Sequence, residues 1–421
     1  MSSTDPASSP TEEERSLDVL LHEAHLAADH DLPGLFARHA IALGVSDPVT
    51  YVVDLQQRIL VPFQDNEQPA RDVHSVLTID ATLAGRAYQH IEVLTQAVDG
   101  ASDDLRVWLP LLDGTERLGL LAVTVPTDAW HDGGGLQSRL LRFAAIAAEM
   151  IMTKTLYGDT LVRLRRTSEM SLSAELQWSL LPPLTFASPE LTIAGGLEPA
   201  YDVAGDTIDY AVGRNHAHLA IFDGMGHGLP SAQLTALTVA AYRNARRGGK
   251  DLADIVDFID RTVVDSFAGT FITGQIVELD VATGLLRWIN VGHPDPLLIR
   301  NGRLVRELHA KPRPPFGLGA LNQAVAEVGQ EHLQPGDLVV LYSDGVTEAR
   351  SPNGDFFGTA RLVDLLVRNF AAGLPAPETT RRVIRSLLDH QEDQLADDAS
   401  LLVLQYRPAN QHAMLTTPAS L

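Results

Sequence analysis

The residues best placed to do chemistry are aspartates at the ends of apolar runs. Asp223 closes HLAIF and is followed by Gly224-Met225-Gly226-His227-Gly228. Asp344 closes LVVLYS and precedes Gly345, while Asp397 and Asp398 open SLLVLQY. Asp206 and Asp209 lie in the glycine-bearing turn Ala204-Gly205-Asp206-Thr207-Ile208-Asp209. A strand end holds its side chain rigidly, and glycine beside it lets backbone and ligand approach closely. One Asp-Gly after a strand is ordinarily a turn, but four such ends are hard to ascribe to turns. Gathered carboxylates are costly unless cations neutralise them, and an all-oxygen donor set selects Mg²⁺ or Mn²⁺ over zinc. Two such ions clamp the attacking and leaving oxygens of a displacement at phosphorus. The chain has no cysteine, so thiolate metal sites, disulfides and a Cys nucleophile are excluded.

These aspartates need apolar strands to hold them. Beyond Leu191 short β runs alternate with turns: His218–Phe222, Thr273–Leu279, Leu285–Asn290, Leu297–Arg300, Arg303–Leu308, Leu338–Tyr342 and Leu401–Gln405. Helical periodicity covers Ser231–Arg247, Leu252–Phe267, Ala360–Phe370 and Glu378–His390. Upstream, a helix over Leu17–Leu43, a hairpin around Gln56-Gln57, a helix near Ile79–His90 and strands joined by Asp113-Gly114 form a sensor-sized unit. A connecting helix runs from Leu136 to Leu181 and stops at Pro182-Pro183; it offers a surface on which two copies could pair. His22, His25 and His30 lack the i, i+4 spacing of a zincin helix and read as an exposed face.

The 421 residues suit two domains. Hydrophobic residues make up 45% and charged residues 20%, an ordinary globular mixture. A net charge of −22 repels nucleic acid and anionic membrane, which are excluded as general partners. No run approaches membrane-span length and the polar start is no signal peptide, so a cytoplasmic location is expected.

DGMGHG at 223–228, NVGHP at 290–294, YSDGVTEAR at 342–350 and DDASLLVL at 397–404 resemble the metal-dependent (PPM-type) serine/threonine protein phosphatases. The closer likeness is to the bacterial branch named after sporulation stage II protein E, whose GGD-x-x-D motif AGDTIDY at 204–210 is similar to. LQWSLLPP at 176–183 is similar to the stretch preceding that branch's catalytic domain. The resemblance implies an α+β chain ending in an αββα sandwich of two antiparallel sheets with a two-metal site at one edge. It implies that Asp206, Asp223, Asp344 and Asp397 act through two bound Mn²⁺ or Mg²⁺ ions, with Gly224 a ligand through its carbonyl and no protein nucleophile. Asp209, His227 and Asp398 fall at the rim or behind the ligands. The implied substrate is a phosphoserine or phosphothreonine on an anti-sigma-factor antagonist, whose dephosphorylation frees a sigma factor.

The first domain resembles a GAF sensor through Leu83–Ala87, VWLPLL at 107–112 and LGLLAVTV at 118–125, which implies a small ligand or partner of unknown identity. The expected layout is a tail over 1–16, a GAF-like domain over 17–155, a linker helix over 156–183, the phosphatase domain over 184–408 and a tail over 409–421. Ala204 replaces the first glycine of the usual pair. Met225 stands where eukaryotic members place a candidate general-acid histidine, so His227 is read as structural, and His293 as a satisfied loop residue. A degenerate phosphatase fold serving as a metal- or ligand-dependent interaction platform is the competing reading. A nucleotide cyclase is disfavoured, since neither a P-loop nor a kinase-type glycine loop is present.

Overall fold

The computed structural model describes residues 12–64, 75–98, 103–132, 135–202, 205–321, 326–392, 395 and 397–407. Ala204 and the expected tail over 409–421 lie outside them. Helix begins at Glu12, inside the stretch 1–16 expected as a tail. The chain forms two units, the first ending at Thr167 and the second beginning at Ser168.

In the first unit a six-stranded sheet carries alternating side chains to two cores. Val107, Leu109 and Leu111 join Leu35, Phe36, Leu140 and Phe143 of the helices Leu32–Ala42 and Gly135–Lys154 on one face. Trp108 on the same strand points the other way, packing with Tyr51, Leu60, Leu120 and Tyr88 of the helix Leu83–His90.

The continuous helix expected through 156–183 is broken. Helix Gly135–Lys154 stops, Thr160–Leu164 forms one short helix and Leu172–Leu180 another. Each restart is capped by a side chain: Asp29 Oδ2 accepts the Thr160 amide at 2.7 Å, and Ser171 Oγ accepts the Ala174 amide at 3.1 Å. Such caps satisfy amides that a continuing helix would bond internally. The unbroken helical surface on which pairing was expected is therefore interrupted.

The second unit stacks two antiparallel sheets. One runs, in spatial order, Gly329–His332, Leu285–Val291, Ile272–Asp280, His216–Gly224, Asp206–Val212. The other runs Arg303–Glu307, Leu297–Arg300, Leu338–Tyr342, Ala399–Tyr406, Leu191–Glu198, Thr185–Ala187. Leu219, Ile221, Ile208, Leu341, Leu402 and Leu404 form the core between them. Ala220 and Phe222 face outward beneath the helices Leu229–Arg247 and Leu252–Ser266. Val340 and Val403 do the same beneath Gly358–Ala371 and Ala376–His390. The result is the expected order of helix, sheet, sheet and helix.

Strand period fixes where the acidic side chains go. Asp206 shares the inward face with Ile208, and Asp223 shares it with Leu219 and Ile221. Asp209 is three residues from Asp206 and so faces the helices. Expected at the rim or behind the ligands, it is buried. Arg243 bonds its Oδ1 at 2.7 Å and Arg246 its Oδ2 at 2.9 Å. A buried charge stripped of its partner is severely destabilising. Asp209→Ala is therefore expected to cost about 3–5 kcal/mol, read as a lower urea midpoint.

Candidate metal centre

The acidic edge is assembled from both sheets. Asp206 and Asp223 are direct cross-strand partners in the first sheet. In the second, Tyr342 pairs with Leu401. The pairing continues beyond the strands, where the Ser343 amide donates to the Ser400 carbonyl and the Ser400 amide to Ser343 Oγ. Asp344, next in sequence, opens a one-turn helix. Gly345 must be glycine, since a Cβ there would lie 1.8 Å from the Asp398 carbonyl oxygen.

Asp398 joins the two sheets. Its Oδ2 accepts the amides of Gly205 at 2.7 Å and Asp206 at 3.1 Å, and its own amide donates to Asp397 Oδ1 at 2.9 Å. It is buried, whereas Asp397 is exposed at the mouth. The Gly205 carbonyl accepts Thr235 Oγ1, and the Gly224 carbonyl accepts Ser231 Oγ at 2.9 Å. A Cβ on Gly205 would approach the Gly224 oxygen to 2.3 Å, so the loop before Asp206 can lie this close only as glycine.

Electrostatics show that these carboxylates sense one another. Burial, then the charges of Asp223 and Asp398, push Asp206 far above the usual carboxylate range. Burial, then Asp344, Asp397 and Asp398, raise Asp223 to about 7. Asp344 is raised by burial and by Asp397 and Glu348. Ser343 and Ser400 lie beside the Asp206 carboxyl, yet its buried Oδ2 has no hydrogen-bond partner of good geometry. Among the described residues no three acidic or imidazole groups form a ready-made ligand cage. The group is an open set of oxygens under mutual repulsion, with one buried oxygen uncommitted. That donor chemistry fits hard divalent cations.

His227 is exposed on the loop after Asp223. His293 is buried, held by Thr273 and by Asn290. Sequence reasoning missed Ser231, Thr235, Ser343 and Ser400. Only Ser343 left a visible trace, a serine immediately before an aspartate that opens a helix.

Residues 213–407 match the family model for Stage II sporulation protein E (SpoIIE). This stretch is a SpoIIE-type domain. The match takes in Asp223, Asp344, Asp397 and Asp398, while Asp206 lies just before it. The chain is 28% identical over 240 residues to phosphoserine phosphatase RsbU of Bacillus subtilis, covering 56% of this chain and 70% of that protein. It is 23% identical over 249 residues to phosphoserine phosphatase RsbP of the same organism, covering 58% of each. The SiaA-PP2C domain of Pseudomonas aeruginosa superposes with a TM-score of 0.47 at 23% identity, covering 56% of this chain and 94% of that one.

The raised Asp223 gives the SpoIIE-type domain a metal-free pH signature. Its folded pKa exceeds the unfolded value of 3.8, so the folded state binds the proton more tightly and loses stability as pH rises through about 7. His293, lowered by burial to about 3, pulls the opposite way as pH rises through its unfolded value of about 6.5, and so offsets part of that fall. In chelator, the Asp223 share of stability is expected to fall by on the order of 1 kcal/mol between about pH 6 and pH 8, so the parent and the Asp223 variant should diverge by that amount across the window. Asp223→Asn should flatten that fall and raise the pH 8 melting temperature, as followed by thermal unfolding.

Proposed function

We propose that the protein is a metal-dependent phosphoserine/phosphothreonine protein phosphatase. The observation that carries this reading is the gathering of Asp206, Asp223, Asp344 and Asp397 at one edge of the two sheets, each raised carboxyl owing part of its shift to another. The phosphoserine phosphatase relatives support the same class.

In this reading Asp206, Asp223, Asp344 and Asp397 would hold two Mn²⁺ or Mg²⁺ ions. Gly224 is the expected backbone ligand, its carbonyl already oriented by Ser231. The divalent pair, when bound, neutralises the phosphate and acidifies water for in-line attack. The protein's part is positional. Asp398 fixes the backbone that presents Asp206, and Ser343 and Ser400 lock the two strand ends that present Asp344 and Asp397. No side chain acts as nucleophile.

The substrate in this proposal is a phosphorylated anti-sigma-factor antagonist, with the first unit acting as a GAF-like sensor that regulates the second. No helix among the described residues is long and apolar enough to cross a membrane. The second reading is a metal- or ligand-dependent interaction platform on a degenerate phosphatase fold, without turnover.

One assay separates the two. With Mn²⁺, the protein should release phosphate from p-nitrophenyl phosphate and from a phosphoserine peptide. Asp223→Asn and Asp344→Asn should each lower kcat by about 100-fold or more, a loss of roughly 3 kcal/mol of transition-state stabilisation. Turnover that ignores both substitutions and chelator would remove the phosphatase reading, and Mn²⁺ binding without phosphate release would favour the platform.

A further inference from the structure

His293 lies in the NVGHP motif at 290–294 but is not one of the carboxylates of the acidic edge. It is 6% exposed, on the turn that follows the strand Leu285–Val291. Asn290 builds that turn: its Oδ1 accepts the His293 amide at 2.9 Å, and its Nδ2 donates to the His293 carbonyl and to Asp295 Oδ1, both at 2.7 Å. The imidazole is thereby carried into the protein rather than out to solvent.

Once inside, it stands between the two strand ends that carry acidic residues. On one side Nδ1 lies 3.0 Å from Thr273 Oγ1, and Thr273 is the cross-strand partner of Asp223. On the other is the backbone of Tyr342, two residues before Asp344. Nε2 is buried without a hydrogen-bond partner. Burial holds the ring neutral, with its pKa lowered to about 3. A neutral ring adds no charge to a site meant for cations, whereas a lysine or arginine in the same place would repel them.

We propose that His293 is a positioning residue that sets the spacing between the Asp223 and Asp344 strand ends, and through it the affinity of the acidic edge for divalent cations. This rests on the metal-centre reading above. The ring acts through Thr273 and the Tyr342 backbone and touches neither ion nor substrate. Residues that orient ligands from behind typically contribute 10–100-fold in metal affinity.

The test is calorimetric titration of the full chain with Mn²⁺ alone, with Asp223→Asn as the control for the metal reading. His293→Phe keeps a buried ring of similar size and removes the contact to Thr273; His293→Gln keeps a hydrogen-bonding end. His293→Phe should weaken Mn²⁺ binding by about tenfold or more, and His293→Gln should recover most of it. A merely space-filling ring would give the reverse order, with phenylalanine the milder change. Parent-like Mn²⁺ binding by His293→Phe would overturn the positioning role while leaving the metal centre standing. No Mn²⁺ binding by the parent, or binding unchanged in Asp223→Asn, would overturn the metal reading itself. Should His293→Phe show no cooperative unfolding, Thr273→Val removes one side of the bridge at almost constant volume. Weakened Mn²⁺ binding in that variant supports the role, and unchanged binding sinks it.

Discussion

Like charges held together in a poorly solvated place repel, and the second unit is built around resisting that repulsion. Asp206 and Asp223 face each other across one strand pair, and Asp344, Asp397 and Asp398 approach from the other sheet. A flexible surface would let such groups drift apart into water. Here each is attached to a strand end whose neighbours are locked by backbone pairing, so the chain tolerates an unfavourable local arrangement because the cores around it are extensive. Strained or repulsive local arrangements that persist against their own cost tend to be functional sites.

The two sheets could slide relative to one another if only apolar side chains lay between them, since apolar contact is not directional. Directional contacts appear at the acidic end. Asp398, on the second sheet's side, grips the Gly205 and Asp206 amides of the first. Gly345 allows the Asp344 turn to press against the Asp398 backbone. The outward Asp209, tied to Arg243 and Arg246, pins the same strand to its covering helix. Asp206 is thus fixed from within the sandwich and from outside it.

Most of this unit was legible in the sequence because its strands end in aspartate or turn residues, which punctuate apolar runs sharply. The strands from His216, Ile272, Leu285, Leu297 and Leu338 fall within a few residues of the pattern. Leu191–Glu198 was missed: Gly195-Gly196 interrupts its apolar run, and only pairing along its length with Ala399–Tyr406 makes it a strand. Asp206-Thr207-Ile208-Asp209 reads as a turn because of its glycine, yet it opens a strand. That change alone sends Asp209 to the opposite face from Asp206. The linker failed for a different reason. Leucines at helical spacing continue past Met152, but the amides of Thr160 and Ala174 find better partners in Asp29 and Ser171. The Ser171 cap is local, but the Asp29 cap is tertiary and leaves no trace in periodicity.

The acidity that makes the edge able to hold cations also governs what can approach it. A phosphate monoester near neutral pH carries close to two negative charges, and so does little but recoil from a group of aspartates on a chain of net charge −22. On the loop after Asp223, Met225 and His227 are exposed. In the proposed phosphatase, divalent cations supply the attraction for the phosphate, reversing the sign of the field where the aspartates are densest. Binding of the ions and admission of the substrate become one event in the proposed phosphatase. Any change that spreads the Asp223 and Asp344 strand ends would weaken both together.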